Sequence, residues 1–204
     1  MSTTPELDEP MDGRTARAVR TKDAIVDATL GLIDDGDLRP TGPRIAERAG
    51  VSVRSIFQHF DDLDALFAAV GHRVVMRIAG LLSPIDPALA LPDRVTSFVA
   101  QRVEVLESVT PVLRAALVHA ATSKVIRNQF DLGHEFFRAQ VAEVFAPELA
   151  EAASPELLQE GRMISLSWPT WNMLRGAEGK KAAEAKVVVD WTTRAVLGSA
   201  GFPA

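Results

Sequence analysis

The sequence predicts an all-α chain of about nine helices. Apolar residues recur at three- and four-residue spacing along most of its 204 positions. Helix-opening pairs also recur, with Thr41 ahead of Pro43, then Thr110-Pro111 and Ser154-Pro155. One β-branched stretch, Val187 to Val196, could form a strand, but no second candidate exists to pair with it. The strongly helical Ala182 to Lys186 precedes it directly, so helix is the reading taken.

Hydrophobic residues make up 47% and charged residues 24%, the balance of a folded globular chain. There is no cysteine, which excludes a disulfide framework, thiolate metal sites and a cysteine nucleophile, and fits a reducing compartment. The acidic N-terminus lacks the apolar segment of a secretory signal. No apolar run reaches the roughly 18 residues of a membrane span, so a cytoplasmic protein without a membrane partner is expected. Net charge is −5, but residues 14–60 hold eight Arg and Lys against six acids. Positive potential there is modest, so non-specific binding to DNA is expected to be weak at physiological salt.

Residues 1–13 read as a disordered acidic tail. Arg14, Arg17 and Arg20 follow as a basic arm, either solvated or reaching for DNA. Thr21 to Asp35 carries Ile25, Ala28, Thr29, Leu32 and Ile33 on one face and ends at Gly36. A second helix follows, capped by Thr41, with Ile45, Ala46 and Ala49 apolar and Gly50 at its end. Ser52 caps a third, in which Val53, Ile56 and Phe60 are expected inward and Arg54, Ser55 and Gln58 outward. Asp61 or Asp62 caps the next, with Leu63, Leu66, Phe67 and Val70 inward, running toward Leu82. Prolines at 84, 87 and 92 make 83–92 a loop. Then come helices from Asp93 to Leu106, Thr110 to Ala121 and Ser123 to Phe145, the last with Phe130, Gly133, Phe137, Val141 and Val144 inward. Another runs from Ser154 to about Leu174, kinked at Pro169, and a final one from Lys180 to before Gly198.

Two short helices around Gly50, the second presenting a small, polar, cationic face, suit the major groove of DNA. The same spacing also fits an ordinary helical hairpin. From Lys22 to Phe67 the sequence resembles the tetracycline-repressor (TetR) family of transcriptional regulators. The resemblance rests on Lys22, Ile25, Ala28, Gly36, Thr41-x-x-x-Ile45-Ala46, Ala49-Gly50-Val51-Ser52, Ile56-Phe57-x-His59-Phe60 and Ala65-Leu66. It implies a three-helix helix-turn-helix DNA-binding domain over 14–67 and a helical ligand-binding and dimerisation domain over 68–204. It further implies a homodimer on a palindromic double-stranded operator and a small-molecule effector. Thr41, Arg44, Ser52, Val53, Arg54, Ser55, Phe57, Gln58 and His59 form the DNA-contact set. The family usually has Tyr at Phe57 and Lys at Leu63, and both commonly touch phosphates, so two backbone contacts are missing here.

No nucleophile elbow, phosphate loop or metalloprotease motif appears, and the four histidines are scattered, so neither an enzyme nor a metal or cofactor site is expected. Arg102 falls on the apolar stripe Val95, Phe98, Val99, Val103, Leu106. It either snorkels, pairs with a protein carboxylate, or meets an acidic ligand. With Trp168 beside the Pro169 kink, this points to a ligand pocket walled by Phe98, Arg102, Leu117, Phe137, Met163 and Trp168. Core or interface packing is the plainer alternative for Trp168 and Trp171. The expected function is a ligand-responsive repressor. An adaptor that kept the fold but lost DNA binding, or a helical-bundle enzyme, are the alternatives.

Overall fold

The computed structural model describes residues 13–204, so the expected acidic tail lies outside the described residues except for Gly13. Those residues form ten α-helices and one π-helical turn, with no strand. The Val187 to Val196 segment is helical throughout.

Helix α1 (Gly13–Asp34) starts eight residues earlier than Thr21 and absorbs the basic arm. Ala16, Ala18 and three arginines favour helix there, and no proline interrupts them. Gly36, at φ 95°, ends the connection that follows. Helices α2 (Gly42–Ala49) and α3 (Val53–His59) form the hairpin. Gly50 adopts the left-handed conformation at φ 66°, ψ 33°, which costs glycine least. It lets the Val51 amide donate to the Ala46 carbonyl at 3.0 Å and close the helix. Ser52 caps α3 by accepting from the Ser55 amide at 3.1 Å. Thr41 sits at the N-cap of α2 but its hydroxyl makes no cap bond.

Asp62 caps α4 (Leu63–Ala79), accepting from the Ala65 amide at 2.7 Å. Leu63 was expected inward and is exposed: it shares a face with Leu66 and Val70 but stands at the first position of α4, beyond the core that covers them. Helix α5 (Leu91–Ala120) is one continuous rod where two helices were expected. Thr110 does not cap a new helix. Its hydroxyl donates back to the Leu106 carbonyl at 2.6 Å, and Pro111 sits inside the helix.

Ser123 caps α6 (Lys124–Val144), whose Phe137, Val141 and Val144 are buried while Gly133 is exposed. A short α7 (Ala146–Glu151) uses Pro147 in its first turn. The helix expected from Ser154 to Leu174 is broken into α8 (Pro155–Ser165), α9 (Trp168–Asn172) and the π turn Met173–Ala177. Pro169 does not kink a helix; it occupies the first turn of α9, which Ser167 caps. Helix α10 (Ala182–Ser199) closes the chain. It crosses α8 closely at Gly161, where an added Cβ would lie 2.9 Å from Val196.

Two apolar cores result. The first joins Ile25, Ile45, Ile56, Phe60, Leu66 and Val70, and also takes in Val105 and Val109 of α5. The second gathers Phe98, Val103, Phe137, Phe145, Met163, Trp171, Val189 and Leu197.

Candidate nucleic-acid interface

Helix α3 is a seven-residue stub held by one buried side chain of its own, Ile56, and by Phe60 just after it. Everything else on it is available. Arg54 and Gln58 are exposed, and Ser55 and His59 are half-buried. Val53, expected inward, is exposed, since so short a helix buries little more than one turn. Phe57 is 53% exposed beside it, one turn on. Thr41 and Arg44 flank the helix from α2, both exposed, and Arg44 pairs with Asp37 at 2.5 Å.

The N-terminal turns of α1 form one wall of an open groove of about 480 Å3. Arg14, Arg17, Ala18 and Thr21 line it from α1, and Val51, Ser52, Ser55, Gln58 and His59 line it from the hairpin. Two arginines thus face the donors and acceptors of α3 across a space open to solvent. The sequence signal for this wall was the 14, 17, 18, 21 spacing, which places the four on one helical face. Ala18 and Thr21 were missed because the helix was expected to begin at Thr21, which hides the face they share with Arg14 and Arg17. Lys22 is set over the Phe60 ring at 5.3 Å, which ties its cation to the hairpin core.

The helices, the left-handed glycine and the outward polar set coincide with a known pattern. Residues 25–70 match the family described as bacterial regulatory proteins, tetR family. This is a tetR-family domain. The whole chain is also similar in structure to three solved proteins. One is a transcriptional regulator from Rhodococcus sp. Rha1, at TM-score 0.67 and 16% identity, covering 92% of this chain and 99% of that one. The second is assigned as a TetR-family transcriptional regulator from Mesorhizobium loti MAFF303099, at 0.67 and 19%, covering 90% and 98%. The third is assigned as a transcriptional regulator from Pseudomonas aeruginosa PAO1, at 0.61 and 20%, covering 93% and 94%. These likenesses extend the regulator fold beyond the tetR-family domain to the C-terminal helices. Among curated proteins, none matches the chain.

Behind the tetR-family domain, the residues expected around a pocket are only partly brought together. Phe98, Phe137 and Met163 are buried in one core, and Trp168 packs against it with its indole N–H donating to Thr110 Oγ1 at 3.2 Å. Leu117 does not join them. It is 54% exposed near the end of α5. Arg102 is half-buried, with its guanidinium 3.6 Å from the centre of the Phe137 ring and its Nε donating to the Leu166 carbonyl at 3.0 Å. Among the described residues no carboxylate pairs with it, and burial pulls its pKa down to about 9.

Sequence reasoning missed the polar grip on the middle of α5. Glu107 accepts from Trp171 Nε1 at 2.8 Å and from Arg175 at 2.8 and 3.1 Å. No local pattern announces it, because the partners lie 64 and 68 residues away.

On the outer side, α8 and α10 leave large apolar side chains uncovered. Leu157 and Ile164 stand out on α8, and Val187 and Trp191 on α10, with Trp191 69% exposed. Among the described residues no helix is long and apolar enough to cross a membrane, and no group of three His, Cys, Asp or Glu is placed to hold a metal ion.

Proposed function

We propose that this chain is a repressor that binds a near-palindromic operator as a homodimer and releases it when a small, mostly apolar effector enters residues 68–204. The observation that carries the reading is the exposed face of α3, with Arg54 and Gln58 unshielded and the arginine-walled groove beside it. Arg54, Ser55 and Gln58 address base edges, while Thr41, Arg44, Ser52 and His59 lie nearer phosphates. Val53 and Phe57 offer apolar contact to thymine methyls.

The uncovered side chains of α8 and α10 support dimerisation, since two copies joined there would bury Leu157, Ile164, Val187 and Trp191. Two copies of α3 would then stand roughly 34–36 Å apart, one turn of DNA. Release follows from population shift. An effector that prefers the wider separation of the two heads weakens operator binding by the size of that preference. Such a protein works in the cytoplasm, where the DNA is.

A gel-shift titration with the DNA upstream of its own gene tests the reading. Retardation at nanomolar protein, with a footprint of two related half-sites, is expected. A second reading, a protein–protein adaptor, draws on the exposed Phe57 and Leu63, apolar where phosphate donors would serve DNA. Absence of any shift at low salt would favour it.

A further inference from the structure

We propose that the acidic segment 1–12 seats in the arginine-walled groove beside α3 and holds it until DNA displaces it. The displacement rests on the proposed operator role of α3. The seating rests on the groove and on the charge of the segment.

The groove lies between the first turns of α1 and the hairpin. Arg14 and Arg17 stand on one side, Ser52, Ser55 and Gln58 on the other, and no carboxylate lines it. Elsewhere around these helices four arginines have acids of their own. Arg44 pairs with Asp37, Arg48 with Asp35, Arg73 with Asp23 and Asp27, and Arg77 with Asp34. The acids of α1 near these partners are thereby taken up by α4, and α1 carries none from Gly13 to Lys22. Arg17 is exposed, and among the described residues no carboxylate pairs with it.

The next acids along the chain stand directly ahead of the groove. Glu6, Asp8, Glu9 and Asp12 precede Arg14, and residues 1–12 include no Lys, Arg or His. Twelve residues reach at most about 43 Å. The stretch of α1 that walls the groove, Arg14 to Thr21, is about 10 Å long, so the segment is long enough to turn back along all of it. Arginine clusters take acidic stretches through charge-assisted hydrogen bonds. Tethering makes even a weak contact count. The effective concentration of a short linked segment is on the order of millimolar, so an intrinsic affinity of ~1 mM fills the groove about half the time.

DNA is a polyanion that calls on the same cations. It binds only those molecules whose groove is open, so its apparent affinity falls by the open fraction. The segment thereby sets how much protein is needed before DNA is held. Asp12 has a simpler role as well, since an acid beside the first turn of α1 favours the helix. The test therefore leaves it in place.

The chain has no cysteine, so Leu7→Cys gives a single site for a nitroxide label. In the full-length protein without DNA, the label is expected to quicken relaxation of the Ser52, Ser55 and Gln58 amides. A variant with Glu6→Gln, Asp8→Asn and Glu9→Gln sets the level due to tethering alone, and should lose most of the effect. Arg17→Gln should reduce it, while Arg20→Gln, outside the groove, should not. The neutralised variant should bind a short fluorescent duplex of random sequence about three- to tenfold tighter than the unaltered protein at low salt. Equal relaxation in the two proteins, or relaxation that Arg17→Gln leaves unreduced, overturns the seating. Tighter DNA binding without that difference would mean diffuse repulsion and also overturns it. Relaxation at the groove with unchanged or weaker DNA binding overturns the displacement. Relaxation at the groove with no DNA bound by either protein sinks the operator reading and leaves the seating standing.

Discussion

Arg77 and Asp34 form a two-pronged ion pair, Nη1 to Oδ1 at 3.2 Å and Nη2 to Oδ2 at 2.8 Å, between α4 and the last residue of α1. The same Nη1 donates to the Ser108 carbonyl of α5 at 3.3 Å, so one side chain joins three helices. Both partners are about one third exposed, which limits what the pair contributes to about 0.5–1 kcal/mol. Arg77→Ala is expected to lower the melting temperature by roughly 1–4 °C. Scanning calorimetry checks it.

The exposed face of α3 makes a set of DNA predictions with separable signatures. Arg54→Ala should cost about 1–3 kcal/mol on the cognate operator and relax base preference at one position per half-site. Phe57→Tyr adds one hydroxyl donor where an exposed ring now stands, and should tighten binding about fivefold with no change in salt slope. Leu63→Lys adds a cation and should steepen the slope by about one per contacted phosphate. Fluorescence anisotropy across a salt series reads all three.

Trp191 stands on the open face of α10, one turn from Val187. Trp191→Glu should shift the protein toward monomer in sedimentation velocity and weaken operator binding, while the circular dichroism spectrum stays helical. A change in neither mass nor affinity would place the contact between copies elsewhere.

Glu107 supplies a pH signature. Its hydrogen bond from Arg175, with that from Trp171, holds its carboxyl below the ordinary value of 4.5 against an opposing effect of burial. Below 4.5 the unfolded chain therefore takes up a proton before the native one does. The stabilisation is complete at neutral pH and is lost as pH falls through the native value. Glu107→Gln should flatten the acid limb of a melting-temperature profile and lower its neutral plateau.

Much of the tetR-family domain was legible because its signals are local. Ser52 caps its helix as expected, Asp62 rather than Asp61 caps the next, and Gly50 takes the left-handed turn. The same grammar misled at Thr110-Pro111. A Thr before a Pro opens a helix when the chain is free to turn, but here Thr110 bonds back to Leu106 and accepts from Trp168, 58 residues on. Pro169 was misread for the opposite reason, since the break at Leu166 and Ser167 precedes it. Val53 and Leu117 show that facing cannot be read from period alone near the end of a helix. Arg102 was recognised as a charge on an apolar stripe, but its ring and carbonyl partners are tertiary and left no trace in the sequence.

Val105 and Val109 belong to α5, yet they fill the core of the N-terminal helices. A protein cut after residue 80 would therefore not yield a free-standing DNA reader. It would leave Val70 and Val74 facing water on the side that α5 now covers. Heating the whole chain should melt both halves in a single transition, because the shared rod must detach before the head can come apart.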